Sequence, residues 1–134
     1  MFLQPKHFKY KKIKKGKLQK HKYKKNKLDF GNIGLKACES GYITARQLEA
    51  ARQAIVRKTG RQGKLWVKIY PKTPITKKPN EVRMGKGTGT ISHWAAKTRG
   101  GSVIFELTGI DDTIARNAFR TGGAKLPVIT KICY

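Results

Sequence analysis

From Met1 to Leu28 the chain carries 12 lysines and no acidic residue. Such a run repels itself, and its apolar residues (Phe8, Tyr10, Ile13, Leu18 and Tyr23) are too sparse to offset the entropy of ordering. Residues 1–28 are therefore expected to form a disordered extension when alone, and residues 29–134 a folded domain. Fully extended at ~3.3 Å per residue, 28 residues reach about 90 Å, far enough to enter a crevice closed to the domain itself. Phe8, Tyr10 and Tyr23 have two readings, as stacking partners for bases or as anchors against the domain.

The imbalance continues beyond the extension. The whole chain has 31 Lys+Arg against 7 Asp+Glu, a formal charge of +24. Between Glu49 and Glu81 nine basic residues occur without an acid, whereas a merely solvated surface mixes both signs. A polyanion relieves the repulsion, and nucleic acid does so with counterion release at each phosphate replaced. A membrane surface calls for a basic amphipathic helix with bulky apolar residues opposite the charge, which the sequence lacks. It has no run of 18 apolar residues to span a bilayer and no secretory or transit signature at its start. Cys38 and Cys133 are too few for a disulfide framework or a zinc quartet and read as reduced thiols.

Local patterns predict an α+β domain. In "FGNIGLKA" Gly31 and Gly34 mark turns and Leu35 opens a strand. Tyr42 and Ile43 lead into a helix over "ARQLEAARQAIVRK", with Thr44 as N-cap, Gln47 completing a capping box and Gly60 as the C′ residue. Leu48, Ala51 and Ile55 fall on its core stripe. Arg46, Ala50, Gln53 and Arg57 fall opposite, a face able to approach a phosphate backbone. "KLWVKIY", Lys64 to Tyr70, alternates as a half-buried strand. "PKTPITKKP" reads as an extended connection. "ISHWAAKT" and "SVIFELTG" read as two strands of a hairpin turning at Arg99-Gly100-Gly101. Asp111 or Asp112 caps a second helix with Ile114, Ala115, Ala118 and Phe119 on its apolar stripe, and "PVITKIC" is a last strand. The order β-α-β-β-β-α-β gives two helices packed on a mostly antiparallel sheet.

The stretch "EVRMGKGTGT" tests for nucleotide chemistry. A P-loop needs G-x-x-x-x-G-K-[ST]. "GRQGKL" has the wrong spacing, with Leu65 where the hydroxyl belongs. "GKGTGT" has Thr90 in place of the last glycine of a dinucleotide fingerprint, and no capped helix follows either segment. His7 and His21 lie in the extension, while His93 stands alone beside Trp94 and reads as a sheet-surface or RNA-facing residue. No nucleophile, metal set or cofactor site is nominated. The chain reads as a binder, not an enzyme.

Six ordered blocks then carry a resemblance: "MFLQPKHFKYKK", "FGNIGLKA", "ITARQLEAARQAI", "RQGKLWVKIYPKTPIT", "KPNEVRMGKGTG" and "AKLP". Together they resemble the bacterial type of protein number sixteen of the large ribosomal subunit, from the first residue to about Pro127. The resemblance implies an α+β fold with a hammerhead-like sheet and two helices. It implies binding to large-subunit rRNA between the central protuberance and the peptidyl-transferase centre. It further implies a part in settling aminoacyl-tRNA, with tRNA and neighbouring large-subunit proteins as partners. By position, Gln4, Pro5 and Lys6 match the N-terminal motif, Thr44, Arg46 and Arg52 the helix motif, and Arg83, Met84, Gly85, Lys86 and Gly87 the loop. The nucleic-acid-binding set adds Lys9, Lys11, Lys12, Lys14 and Lys15 from the extension and Gln53 and Arg57 from the helix face. Arg61, Lys64, Lys77 and Lys78 join it from the acid-free run.

The chain departs from the family in three places. Residues 9–27 are richer in lysine than the usual arginine- and glycine-bearing tail, and lysine is a point charge where arginine stacks and binds bidentately. Thr88 replaces a frequent lysine. Gly122-Gly123 replace alanines in the second helix, costing about 1 kcal/mol per site if both are helical. "KACESG" and "NEVRMGKG…HWAAKT" resemble mitochondrial or alphaproteobacterial members, which favours a mitochondrial ribosome over bacterial cytoplasm or plastid. The rival reading is a free-standing architectural nucleic-acid binder.

Overall fold

A computed structural model of the chain describes residues 4–18 and 27–134. The elements run β1 (Ile33–Ala37), β2 (Gly41–Thr44), α1 (Ala45–Lys58), β3 (Lys64–Val67), β4 (Thr73–Lys77), β5 (Thr90–Thr98), β6 (Val103–Thr108), α2 (Asp112–Gly123) and β7 (Thr130–Cys133). The fold is α+β, with every strand pair antiparallel and the strands divided between two sheets, β3-β6-β1-β7 and β2-β5-β4. No described helix is long and apolar enough to cross a membrane.

Helix α1 follows its sequence signals closely. Thr44 Oγ1 accepts from the Gln47 amide at 3.2 Å, and Gln47 Oε1 accepts from the Thr44 amide at 3.0 Å, the reciprocal capping box. At the other end Gly60 (φ +60°) donates to Arg57 O and Arg61 to Val56 O, the paired bonds of a Schellman closure. Replacing Thr44 by alanine strands a helix-end amide. It is expected to cost about 1 kcal/mol in urea denaturation, with an unchanged m-value.

The inward stripe of α1 (Leu48, Ala51 and Ile55) meets Ala115, Ala118 and Phe119 of α2 over Ile33, Leu35, Phe105 and Leu107 of the larger sheet. Ile114, expected on the same stripe, is 39% exposed: the buried positions of α2 are Ala115, Ala118, Phe119 and Gly122, which leave Ile114 at the margin. Asp111 is the N-cap by backbone geometry but makes no side-chain cap bond, so its role is limited to its charge near the helix start. Both Gly122 and Gly123 are helical.

Four strand expectations need correction. β5 and β6 do not pair with each other. At the turn Gly101 donates to Ala37 O at 2.7 Å and Ala37 to Ser102 O at 2.9 Å, so the chain passes from one sheet to the other there. "PKTPITKKP" contains a true strand, β4, pairing only with β5; Pro74 is tolerated because the far side of β4 is a sheet edge. Tyr42 and Ile43 belong to β2, paired with β5, rather than to a simple lead-in. The strand from Lys64 ends at Val67, although Lys68 still donates to Ile104 O; Pro71 then turns the chain toward the second sheet.

Strand alternation sorts the larger sheet into two faces. Leu35, Phe105, Leu107 and Ile132 point to the helices. Trp66, Glu106, Gly34 and Cys133 lie in register across the strands and share the opposite, outer face. Leu28 lies over Gly34 on that side: a Cβ at Gly34 would sit 2.5 Å from Leu28 Cδ2 and 3.0 Å from Cys133 Sγ. Both cysteines are free, and burial raises the Cys133 thiol above its ordinary value.

Candidate nucleic-acid interface

The outward face of α1 carries Arg46, Ala50, Gln53 and Arg57, all exposed. Arg52, one step to the side, is already engaged. Its Nε and Nη2 donate to Glu49 at 3.0 and 2.6 Å, and Gln53 Nε2 donates to the same carboxylate at 3.2 Å. The Arg52 bond, outweighing burial, lowers the Glu49 carboxyl from its ordinary value, and Glu49 in turn raises the guanidinium. Arg52 therefore presents a neutralised pair to any phosphate. Arg46 and Arg57 form no ion pair among the described residues.

Between α1 and β5 lies a cleft of about 1050 Å³, lined among others by Gln4, Arg46, Ala50, Gln53, His93 and Trp94. Ala50 keeps it open by having no bulk. His93 faces it from β5, with Nδ1 3.3 Å from Ser92 Oγ.

Residues 4–18 form no helix or strand and are laid over the smaller sheet. The Phe8 ring packs on Trp94 with centroids 5.3 Å apart, so Phe8 is an anchor. Tyr42 Oη donates to Lys15 O at 2.9 Å, and the Lys15 ammonium lies 5.1 Å from the Tyr42 ring. Lys97 Nζ donates to Lys17 O at 3.0 Å. Lys9, Lys11, Lys12 and Lys14 remain exposed along this strap. Tyr23 and His21 lie outside the described residues, as do residues 1–3 and 19–26 of the 1–28 extension.

The β4–β5 connection is a finger. Arg83, Met84, Gly85, Lys86 and Gly87 are all exposed, Met84 to 94%. Gly85, Lys86 and Gly87 take φ of +96°, +53° and +87° in succession, a path that glycine permits and side chains resist. No heavy atom lies within 4 Å of a Cβ built at Gly85 or Gly87, so backbone shape, not packing, requires glycine there. Lys78 Nζ donates to Gly85 O across the finger, and Lys12 Nζ donates to Thr88 O at 3.0 Å, tying the strap to the finger's base. β5 follows rather than a helix, so the segment has no helix N-terminus behind it for a nucleotide phosphate. Arg61, at the C-terminal end of α1, and Lys64, on β3, are not brought into the cleft. Among the described residues no group of three His, Cys, Asp or Glu side chains is placed to hold a metal.

One residue that organises this architecture was not singled out from the sequence. Glu106, 1% exposed in β6, accepts from the backbone amides of Phe30 at 2.7 Å, Gly31 at 3.0 Å and Asp29 at 3.3 Å. Lys68 Nζ stands 3.6 Å from it and 2.6 Å from Asp29. Burial raises the Glu106 carboxyl, but the amides and Lys68 together outweigh it and hold the group below its ordinary value. The signal was a lone acid inside "VIFELT", since a buried carboxylate must find donors.

The family profile for ribosomal protein L16p/L10e matches residues 5–133. The chain belongs to the L16p/L10e family of ribosomal proteins. It is 50% identical to the large ribosomal subunit protein uL16 of Cereibacter sphaeroides over 130 residues, covering 97% of this chain and 95% of that protein. To the uL16 proteins of Paracoccus denitrificans and Caulobacter vibrioides it is 49% identical, again over 97% of this chain and over 95% and 91% of theirs. L16p/L10e proteins are structural and not enzymes. Of the candidate contact residues only Gln4 falls outside the L16p/L10e match. The rest of the strap, α1 and the finger lie within it.

Proposed function

We propose that this L16p/L10e chain is a structural constituent of the large ribosomal subunit, binding large-subunit rRNA through the strap, the α1 face and the finger. In this reading Lys9, Lys11, Lys12, Lys14, Arg46, Arg57, Lys77 and Lys78 neutralise phosphates. Arg83, Met84 and Lys86 reach furthest, toward the aminoacyl-tRNA site beside the peptidyl-transferase centre below the central protuberance. Residues 1–28 are then an RNA-binding extension and residues 29–134 the RNA-binding domain. The observation that carries it is the convergence of Gln4, Arg46, Gln53 and His93 on one cleft, with the strap tied to the finger through Lys12 and Thr88.

Affinity for large-subunit rRNA should fall steeply as salt rises, because phosphate contacts release counterions. A slope near zero in log K against log salt overturns the reading. A free-standing architectural binder predicts equal affinity for unrelated duplexes, so competition with bulk DNA separates the two. Stoichiometric binding of ATP or GTP in equilibrium dialysis would instead revive a nucleotide enzyme. The relatives named above are bacterial. Placement in a mitochondrial ribosome rests on the "KACESG" and "HWAAKT" blocks, and recovery only from cytosolic or plastid ribosomes overturns it.

A further inference from the structure

The outer face of the larger sheet is turned away from α1 and its cleft. On it Phe30 and Trp66 stack with centroids 5.8 Å apart and ring planes 22° apart. Phe30 is nevertheless 60% exposed. A large aromatic ring left this open, held against a second ring, is a finished surface without a cover from the described chain. Two lysines edge it. Lys64 Nζ lies 5.2 Å from the Trp66 ring, and Lys68 Nζ lies 4.3 Å from the Phe30 ring. Lys36 and Lys131, in register on β1 and β7, extend the same face.

The acids on this face are committed elsewhere. Glu106 is turned to the amides of residues 29–31 and to Lys68, and Asp29 is paired with Lys68. Lys36, Lys64 and Lys131 form no ion pair among the described residues. The face is thus an aromatic platform in a positive field. Rings of this kind offer a π surface to any unpaired base, and flanking ammonium groups meet the phosphates on either side.

We propose that Phe30 and Trp66, with Lys64 beside them, form a second RNA contact that stacks an unpaired base of the large-subunit rRNA. The platform and the α1 cleft face opposite ways, so the domain bridges two RNA segments. The platform is positioned by Glu106, whose bonds to the Asp29, Phe30 and Gly31 amides hold the Phe30 backbone against the sheet. This inference rests on the rRNA-binding reading above but concerns a different face.

The test uses the full chain bound to unmodified large-subunit rRNA, with short-wave ultraviolet light, which can crosslink a stacked base of any kind. Irradiation followed by peptide mapping should place crosslinks at Phe30 or Trp66, alongside any at the strap or finger. Phe30→Ala should weaken rRNA binding roughly tenfold, the order expected for one lost stacked base, without changing the salt slope, since no phosphate contact is removed. Phe30→Tyr should restore both affinity and crosslink. Wild-type chain that binds rRNA with no crosslink at either ring overturns the inference and leaves the rRNA-binding reading intact. So does a Phe30→Ala chain of unchanged affinity. A loss of affinity without crosslinks at either ring also overturns it, because Phe30 would then act only by sheltering Glu106. Failure of the wild-type chain to bind rRNA at all removes the earlier reading itself.

Discussion

Replacing Glu106 by alanine is expected to lower folding stability by about 3 kcal/mol, a large share of the few kcal/mol that hold a domain of this size together. Three backbone amides lose their acceptor at once, and those of Phe30 and Gly31 are the closest. Lys68 is not stranded, because Asp29 lies 2.6 Å away, so the cost comes mainly from the amides. Glu106→Gln keeps one carbonyl acceptor and should lose about half as much. The effect should also depend on pH, and its direction is determined. The folded-state pKa of Glu106 lies below the ordinary value of 4.5. Its stabilisation is therefore complete above pH ~4.5 and is lost as pH falls through the lower folded value. Urea melts of wild type and Glu106→Gln should converge only on that acid side. Equal pH dependence in the two proteins would refute the assignment.

Gly122→Leu should destabilise by about 2–3 kcal/mol, even though leucine is the better helix former by nearly 1 kcal/mol. A Cβ at this position would lie 2.5 Å from Ile55 Cγ1 and 2.8 Å from its Cδ1, with Ala51 O at 3.4 Å. α1 and α2 touch where one has no side chain, so leucine must push them apart. Ile55→Ala removes the obstructing atoms. The double variant Gly122→Leu/Ile55→Ala should therefore be more stable than the sum of the two single changes predicts, a coupling measurable in a double-mutant cycle. Strict additivity would mean that the helices do not meet through this pair. The helical glycines, which cost helix propensity in a sequence reading, here set how close α1 approaches α2.

Helix α1 was legible almost to the residue, because its cap, its stripe and its closing glycine are local signals between Thr44 and Gly60. The finger was legible as a finger for the same reason: glycine spacing and the absence of a following helix are sequence properties. β4 was missed because Pro71, Pro74 and Pro79 argue against a strand unless the strand lies at an edge, and edges are assigned by partners far along the chain. The expected β5–β6 hairpin failed on similar grounds. The turn at Gly100-Gly101 reverses the chain as expected, but Ala37, more than sixty residues earlier, takes its hydrogen bonds. Among the candidate contact residues, Arg46, Gln53 and Gln4 proved to share a cleft, whereas Arg52 proved to be occupied by Glu49.

By itself the sequence determined the charge, the two helices and the family, because composition, helical periodicity and ordered motifs are all carried along the chain. Tertiary structure alone decided that the strands split into two sheets and that residues 4–18 cross the smaller one. It also decided that Glu106 gathers the amides of residues 29–31 and that Phe30 comes to rest on Trp66. Most of these contacts join residues more than thirty positions apart in the sequence, and which distant partner a strand edge, a buried carboxylate or an open ring will find is set by packing in three dimensions.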